Sequence, residues 1–212
     1  MIADLCPKGV KSSKFGDLAT IVRGASPRPI QSFVTSDPDG VNWIKIGDVP
    51  PGGKYITYTK EKITKEGAEK SRYVNKGDFV LSNSMSFGRP YIMKITGCIH
   101  DGWLAISDFD KAYMSDFLYY LLSSSIVQRM MAQRASSGTV QNLNADIVKS
   151  LDLPVPPLEI QREIVKILDT FTALEAELEA ELEARRRQYS YYRDALLAFD
   201  DADIDSAASK QA

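Results

Sequence analysis

The sequence predicts an α+β protein, a mostly antiparallel, curled β-rich domain with short helices followed by one long C-terminal coiled-coil helix. Three observations predict it. Short runs rich in β-branched and aromatic residues, broken by Gly, Pro, Asn and Asp, occupy Lys14 to about Ile106. From Leu158 onward apolar residues recur at helical spacing for roughly 42 residues, about 63 Å of helix at ~1.5 Å per residue. Between the two patterns lies LDLPVPP, Leu151 to Pro157, a proline-punctuated boundary.

In chain order, residues 1–14 read as a polar lead-in. Strands are predicted over Leu18–Val22, Asn42–Ile46, Tyr55–Tyr58, Phe79–Ser82, Arg89–Lys94 and Trp103–Ser107. The breaks between them include Pro27-Arg28-Pro29, Pro38-Asp39-Gly40, Pro50-Pro51-Gly52-Gly53 and Asn75-Lys76-Gly77-Asp78. Irregular spacing and tight turns argue against repeated strand–helix–strand units. A helix is predicted over Ser115–Arg134, with Ser115 as its N-cap before FLYYLL. A polar stretch, ASSGTVQNLNADIVKSLDLPVPP, then leads to the long helix, for which Pro157 suits the first position.

The long helix, read as Leu158 to Phe199, carries Ile160, Ile164, Ile167, Phe171, Leu174, Leu178 and Leu182. Past the basic knot Arg185-Arg186-Arg187 the stripe resumes with Tyr189, Tyr192, Leu196 and Phe199. Such a length exceeds what one domain of this size can cover, so the stripe calls for a partner helix. Leucines in Leu174–Ala184 recur every four residues, a stutter that relaxes a left-handed supercoil toward straight, side-by-side helices. Glu183 precedes Arg187 by four residues, a favourable helical ion-pair spacing, and the remaining glutamates read as a solvated face. The last residues, DDADIDSAASKQA, carry no stripe and are expected to be disordered.

Composition excludes several classes. No apolar run approaches the ~20 residues needed to span a bilayer, and the N-terminus lacks the apolar core of a signal peptide, so a cytoplasmic chain is expected. Cys6 and Cys98 are isolated thiols without metal-ligand spacing, which argues against disulfide scaffolds and zinc knuckles. Charge is divided unevenly: up to Pro157 basic residues outnumber acidic ones 19 to 15, whereas from Leu158 acidic residues lead 13 to 7. No phosphate-binding glycine fingerprint follows a strand. No Asx/Ser-Pro-Pro-aromatic tetrapeptide is present, and no Lys has an acid two residues before it, as a metal-dependent nuclease core would want. The single histidine, His100, precedes Asp101; a base and its orienter are conceivable, but strand neighbours point to opposite faces and no nucleophile accompanies them. Catalytic residues, metal ligands and cofactors are therefore all expected to be none.

Three polar stretches combine Gly, short polar side chains and Arg: RGASPRPIQ (Arg23 to Gln31), LSNSMSFGRP (Leu81 to Pro90) and RASSGTVQNLN (Arg134 to Asn144). Each could be ordinary turn chemistry. Together they have the composition of loops that meet base edges and phosphates.

Several separated blocks then resemble one family, the specificity (S) subunits of type I restriction–modification systems. LDLPVPPLEIQREIVKILD (Leu151 to Asp169) carries Pro156-Pro157-Leu158, Gln161 and Ile164-Val165 in the family's Pro-Pro-Leu-x-x-Gln-x-x-Ile pattern. EARRRQYSYYRDALLAF (Glu183 to Phe199) is similar to its Arg-Gln-Tyr-x-x-Tyr-Arg segment, and NKGDFVLSNSMSFGRP to its Lys-Gly-Asp-aliphatic-aliphatic run with a Gly-Arg turn. VNWIKIGDV and SSGTVQNLNADIVKSLDLP complete the pattern.

The resemblance implies a target-recognition, DNA-binding domain at residues 1–150, a conserved long-helix spacer and dimerisation region at 151–200, and a tail at 201–212. Full family members carry two such units and this chain carries one, as a natural half-subunit, a truncated gene product or a shortened piece. The implied function is non-catalytic: reading double-stranded DNA and directing adenine methylation and restriction to an interrupted site. The implied partners are the modification (methyltransferase) subunit, the restriction subunit and, through the C-terminal helix, a second copy in a homodimer, with no membrane. An alternative is an assembly module that dimerises by its helix without reading sequence. DNA contacts are expected, by chemistry and loop position, from Arg28, Gln31, Ser84, Ser86, Arg89, Thr139, Gln141 and Asn142, with Lys45 and Lys54 nearer phosphates. The helix seam is expected from Ile164, Ile167, Phe171, Leu174, Leu178, Leu182 and Leu196, with Tyr189 and Tyr192 facing a partner.

Overall fold

The computed structural model describes residues 6, 9–49, 52–83, 87–135 and 143–198. It divides into two units, one running through Val165 and one from Lys166. The α+β class is as expected, with a long C-terminal helix.

Twelve strands occur among the described residues of the first unit: β1 Ser12–Lys14, β2 Thr20–Arg23, β3 Val34–Thr35, β4 Val41–Ile44, β5 Tyr55–Ile56, β6 Glu61–Ile63, β7 Arg72–Val74, β8 Phe79–Ser82, β9 Pro90–Met93, β10 Gly97–Ile99, β11 Trp103–Ser107 and β12 Asp152–Pro154. One five-stranded sheet runs in the order β2-β11-β8-β9-β5 and another in the order β3-β6-β4-β10-β7, while β1 and β12 form a small ladder of their own. Most ladders are antiparallel; β4 with β10 and β5 with β9 are parallel.

Alternation builds the layers. Phe79, Leu81, Leu104 and Ile106 turn to one face of the first sheet, against Phe117, Leu118, Leu122, Val127 and Met131 from the helices. Val80, Met93, Trp103 and Ala105 turn to the other face, against Ile44 and Ile99 of the second sheet. Buried on both faces, β8 and β9 read as continuous apolar runs rather than alternating ones. The buried Trp103 indole N–H donates to the Ile44 carbonyl at 3.2 Å, joining the two sheets. Beyond the second sheet, Trp43, Ile63, Cys98 and Phe33 form a smaller cluster against Ala68 of the short helix α1, Lys65–Glu69.

The predicted strands Phe79–Ser82 and Trp103–Ser107 are found with those bounds, and the other four with shifted or shortened ends. The predicted helix Ser115–Arg134 is two helices, α2 Ser115–Ser123 and α3 Ser125–Ala135. Ser124 breaks it: its backbone is extended, its hydroxyl donates to the Leu121 carbonyl at 2.7 Å, and its oxygen accepts the Val127 N–H at 3.3 Å. Met114, not Ser115, occupies the N-cap of α2. The polar stretch before the long helix contains α4, Ala145–Lys149, capped by the Asn144 side chain accepting from Ile147 N at 2.9 Å.

The long helix, α5, spans Leu158–Leu197. Pro157 precedes its first residue, and the Pro157 carbonyl accepts from Gln161 N. The first two turns belong to the first unit, where Ile160 and Val165 are buried. Ile164, one of the expected seam residues, is half-buried against the first unit's core. From Lys166 on, Ile167, Phe171, Leu174, Leu178 and Leu182 are all exposed, and the Glu183–Arg187 pair forms at 2.6 Å. No described helix is long and apolar enough to cross a membrane. Residues 201–212, expected to be disordered, lie outside the described residues.

Candidate nucleic-acid interface

Two of the three polar stretches, and the C-terminal edge of the third, meet at one turn of the first unit. That turn, residues 100–102, links β10 to β11. The loop after β2 lies directly on it: Gly24 N donates to the Trp103 carbonyl and Ala25 N to the Ile99 carbonyl. Only glycine allows this approach, because a Cβ on Gly24 would sit 2.0 Å from the His100 carbonyl oxygen.

Asn83, at the end of β8, is buried and knits the stretches together. Its backbone N–H donates to the Gly102 carbonyl and its own carbonyl accepts from Leu143 N. Its side-chain amide donates to the Asp101 carbonyl at 2.9 Å. The sequence offered Asn83 only as one polar residue inside LSNSMSFGRP; its burial gave no periodic signal.

Arginines surround the same turn. Arg23 Nε donates to the Asp101 carbonyl at 3.0 Å, and the Arg28 guanidinium lies 3.5 Å from the Asp101 carboxylate. Ser26 Oγ donates to Asp101 Oδ1 at 2.7 Å. That hydroxyl, ahead of the nearby arginine charge, holds the Asp101 carboxyl below its usual range. Arg72, the first residue of β7, places Nε 3.4 Å from the Arg23 carbonyl. Arg23 and Arg72 were not among the expected contacts, since only pairing of β7 with β10 brings residue 72 here.

His100 has a structural task. Its Nδ1 accepts the Gly102 N–H at 2.8 Å, and its ring lies between Trp43 and Trp103. Burial is the main influence that lowers its pKa. The Asp101 carboxylate faces Ser26 and Arg28, so the two neighbours take different partners.

Of the expected contacts, Arg28 and Gln31 are exposed on the loop after β2. Arg89 is half-buried, with its guanidinium 5.6 Å from the Tyr91 ring centre. Gln128 of α3 donates to the neighbouring Gly88 carbonyl at 2.8 Å, fixing that turn. Lys45 pairs with Glu61. Lys54 pairs with Asp116 at 2.6 Å among the rings of Tyr55, Tyr119 and Tyr120. Burial opposes its charge, but Asp116 more than compensates and its pKa is raised. Ser84, Ser86, Thr139, Gln141 and Asn142 lie outside the described residues. Among the described residues no group of three or more His, Cys, Asp or Glu side chains could hold a metal ion.

A second site of the first unit lies at the start of α5. Gln161 is fully buried. Its Oε1 accepts from Met114 N at 2.8 Å, and its Nε2 donates to the Ala112 and Pro156 carbonyls at 2.8 and 2.9 Å. One amide thus satisfies the N-terminus of α2 and the turn before α5.

The type I restriction modification DNA specificity domain model matches residues 7–184. The chain belongs to that family. It is 30% identical over 171 residues, 78% of its length, to a Haemophilus influenzae type I restriction enzyme specificity subunit, of which the match covers 43%. With the EcoR124I/EcoR124II specificity subunit of Escherichia coli it shares 57% identity over 54 residues, 26% of this chain and 13% of that one. Among solved structures it is similar to the HsdS subunit of Thermoanaerobacter tengcongensis, with a TM-score of 0.64 at 21% identity over 85% of this chain and 43% of that one. A chain solved in a study of complex assembly and conformational transition of the type I R-M system matches with a TM-score of 0.69 at 22% identity, over 86% of this chain and 44% of that one. The chain spans less than half the length of each of these relatives.

Proposed function

We propose that this chain is the DNA-reading part of a type I restriction–modification complex, without chemistry of its own. Residues 1–150 would recognise one half of a DNA site, and residues 151–200 would space and pair two such readers. The observation that carries the reading is the gathering of separate polar loops, with exposed arginines, around the 100–102 turn. Loops held by a rigid double sheet suit the direct readout of base edges, where Arg pairs with guanine and Gln or Asn with adenine. Arg28, Gln31 and Arg89, together with Ser84, Ser86, Thr139, Gln141 and Asn142, remain the proposed DNA contacts. Lys45, which pairs with Glu61, and Lys54, which pairs with Asp116, are proposed nearer phosphates.

In this reading a methyltransferase subunit flips and methylates adenine, and a restriction subunit cleaves; the chain selects where. The exposed stripe from Ile167 to Leu182 supports a helix pair between two copies. Twofold pairing makes the target an interrupted palindrome whose gap follows helix length.

Selection from a random duplex library by the chain together with its methyltransferase subunit tests this. Enrichment of one interrupted motif is expected. Equal retention of every duplex would overturn the reading and favour an assembly module that dimerises without recognising sequence.

A further inference from the structure

We propose that Arg23 and Arg72, linked to each other at the turn where Arg28 meets Asp101, form a backbone grip that holds a DNA phosphate beside the base-reading loops. The inference rests on the reading of the chain as a binder of duplex DNA and deepens it by separating positioning from recognition.

Arg23 and Arg72 are both exposed, and both bond to a backbone carbonyl through Nε, Arg23 to Asp101 and Arg72 to Arg23. Among the described residues no hydrogen bond uses the terminal amino groups of either. Anchoring at Nε fixes the plane of the fork while leaving the paired N–H groups for a bidentate acceptor, the geometry phosphate oxygens fit. The backbone around the anchors is held by further bonds. Asp101's carbonyl also accepts from buried Asn83, and Ser71, next to Arg72, donates its hydroxyl to the Ala25 carbonyl at 2.7 Å.

Charge points the same way. Three arginines, Arg23, Arg28 and Arg72, gather at this turn, and the Asp101 carboxylate among them is already engaged by Ser26 and Arg28. A patch of this sign attracts a polyanion, and its closeness to the loop carrying Arg28 and Gln31 puts that polyanion where bases would be read. Asp101 is a positioning residue here, steadying the loop rather than touching DNA.

The test uses the full chain with its methyltransferase subunit, on a duplex carrying the selected site and on a scrambled duplex, across a salt series. For R23Q and for R72Q, affinity is expected to fall by the same factor on both duplexes, and the slope of log affinity against log salt to drop by about one. R23K and R72K keep the charge and are expected to retain the wild-type slope. An unchanged slope in both glutamine variants, with folding intact by thermal melting, overturns the grip. So does a loss confined to the selected duplex, which would make these residues base readers. Wild-type protein that binds both duplexes alike would sink the sequence-recognition reading, while a lowered slope in the variants would still uphold the grip.

Discussion

Asn83 reaches across the turn to Asp101, donating its side-chain amide to the Asp101 carbonyl at 2.9 Å, and the same oxygen accepts from Arg23 Nε at 3.0 Å. A buried amide thus fixes the backbone on which an exposed arginine rests, coupling core to surface. N83A removes one buried bond and leaves the remaining loop partners in place. A stability loss of about 1–2 kcal/mol is expected, the range for losing a buried hydrogen bond. Urea unfolding of N83A against wild type measures it, and a change within error would mean that the amide does not hold the turn.

The approach of Gly24 to His100 is sharper. An alanine Cβ would lie 2.0 Å from the His100 carbonyl oxygen, and the obstacle is backbone, not a side chain that can swing away. G24A is expected to cost roughly 1–3 kcal/mol, as overpacking does, and to weaken DNA binding by displacing the loop that carries Arg28 and Gln31. Thermal melting and duplex affinity check the two halves separately. Stability lost with affinity kept would detach this loop from DNA binding.

His100 predicts a dependence on pH. Its Nδ1 accepts the Gly102 N–H, which requires that nitrogen to be unprotonated, and burial lowers its pKa from 6.5. The unfolded chain therefore binds the His100 proton at a higher pH than the folded one. Stability from this group is complete above pH 6.5 and is lost as pH falls through the lower folded value. Asp101 and Asp48 favour the charged ring and Lys45 opposes it, but burial leads. The lowered pKa of Asp101 acts in a more acid window, below its ordinary value of 3.8. Urea midpoints for wild type should decline on acidification from pH 7, and H100N, whose side-chain oxygen can still accept from Gly102, should flatten that decline above the Asp101 window. Equal slopes for both proteins would assign the decline to other groups.

Gln161 shows which parts of this molecule could be read from sequence. It stood out by its place in the Pro-Pro-Leu-x-x-Gln pattern, but its task, one amide serving Met114, Ala112 and Pro156, follows from contacts distant in the chain. Phe79–Ser82 and Trp103–Ser107 were legible because strands buried on both faces form dense apolar runs. Two- and three-residue strands such as Val34–Thr35 and Gly97–Ile99 were not, since their pairing is set by tertiary neighbours rather than local pattern. For the same reason the neighbours of Arg72 and Lys54 were not legible: no spacing in the sequence brings residue 72 to residue 23, or Asp116 to Lys54. Q161L would strand the Met114 N–H and two carbonyls. With about 1–3 kcal/mol for each buried group left unsatisfied, it is expected to unfold at markedly lower urea, and an unchanged midpoint would refute that clamp.

The stripe on α5 makes the last prediction. Phe171, Leu174, Leu178 and Leu182 line one open apolar groove edged by Glu175 and Glu179, and each of the four is about half exposed or more. Burying a leucine side chain stabilises by about 1.5–3 kcal/mol, so a row of them covered by a second helix provides ample drive for association. The spacing of four between Leu174, Leu178 and Leu182 favours nearly straight helices side by side. L178E places a carboxylate in the middle of that row, where pairing would have to desolvate it next to Glu175 and Glu179. Sedimentation equilibrium is expected to find wild type as a dimer and L178E as a monomer with an unchanged melting profile for the first unit. E177Q, one position away in sequence and outside the groove, serves as the control and should leave the dimer intact. Wild type that stays monomeric at high micromolar concentration would assign the stripe to a different partner helix, and L178E that still dimerises would place the contact elsewhere.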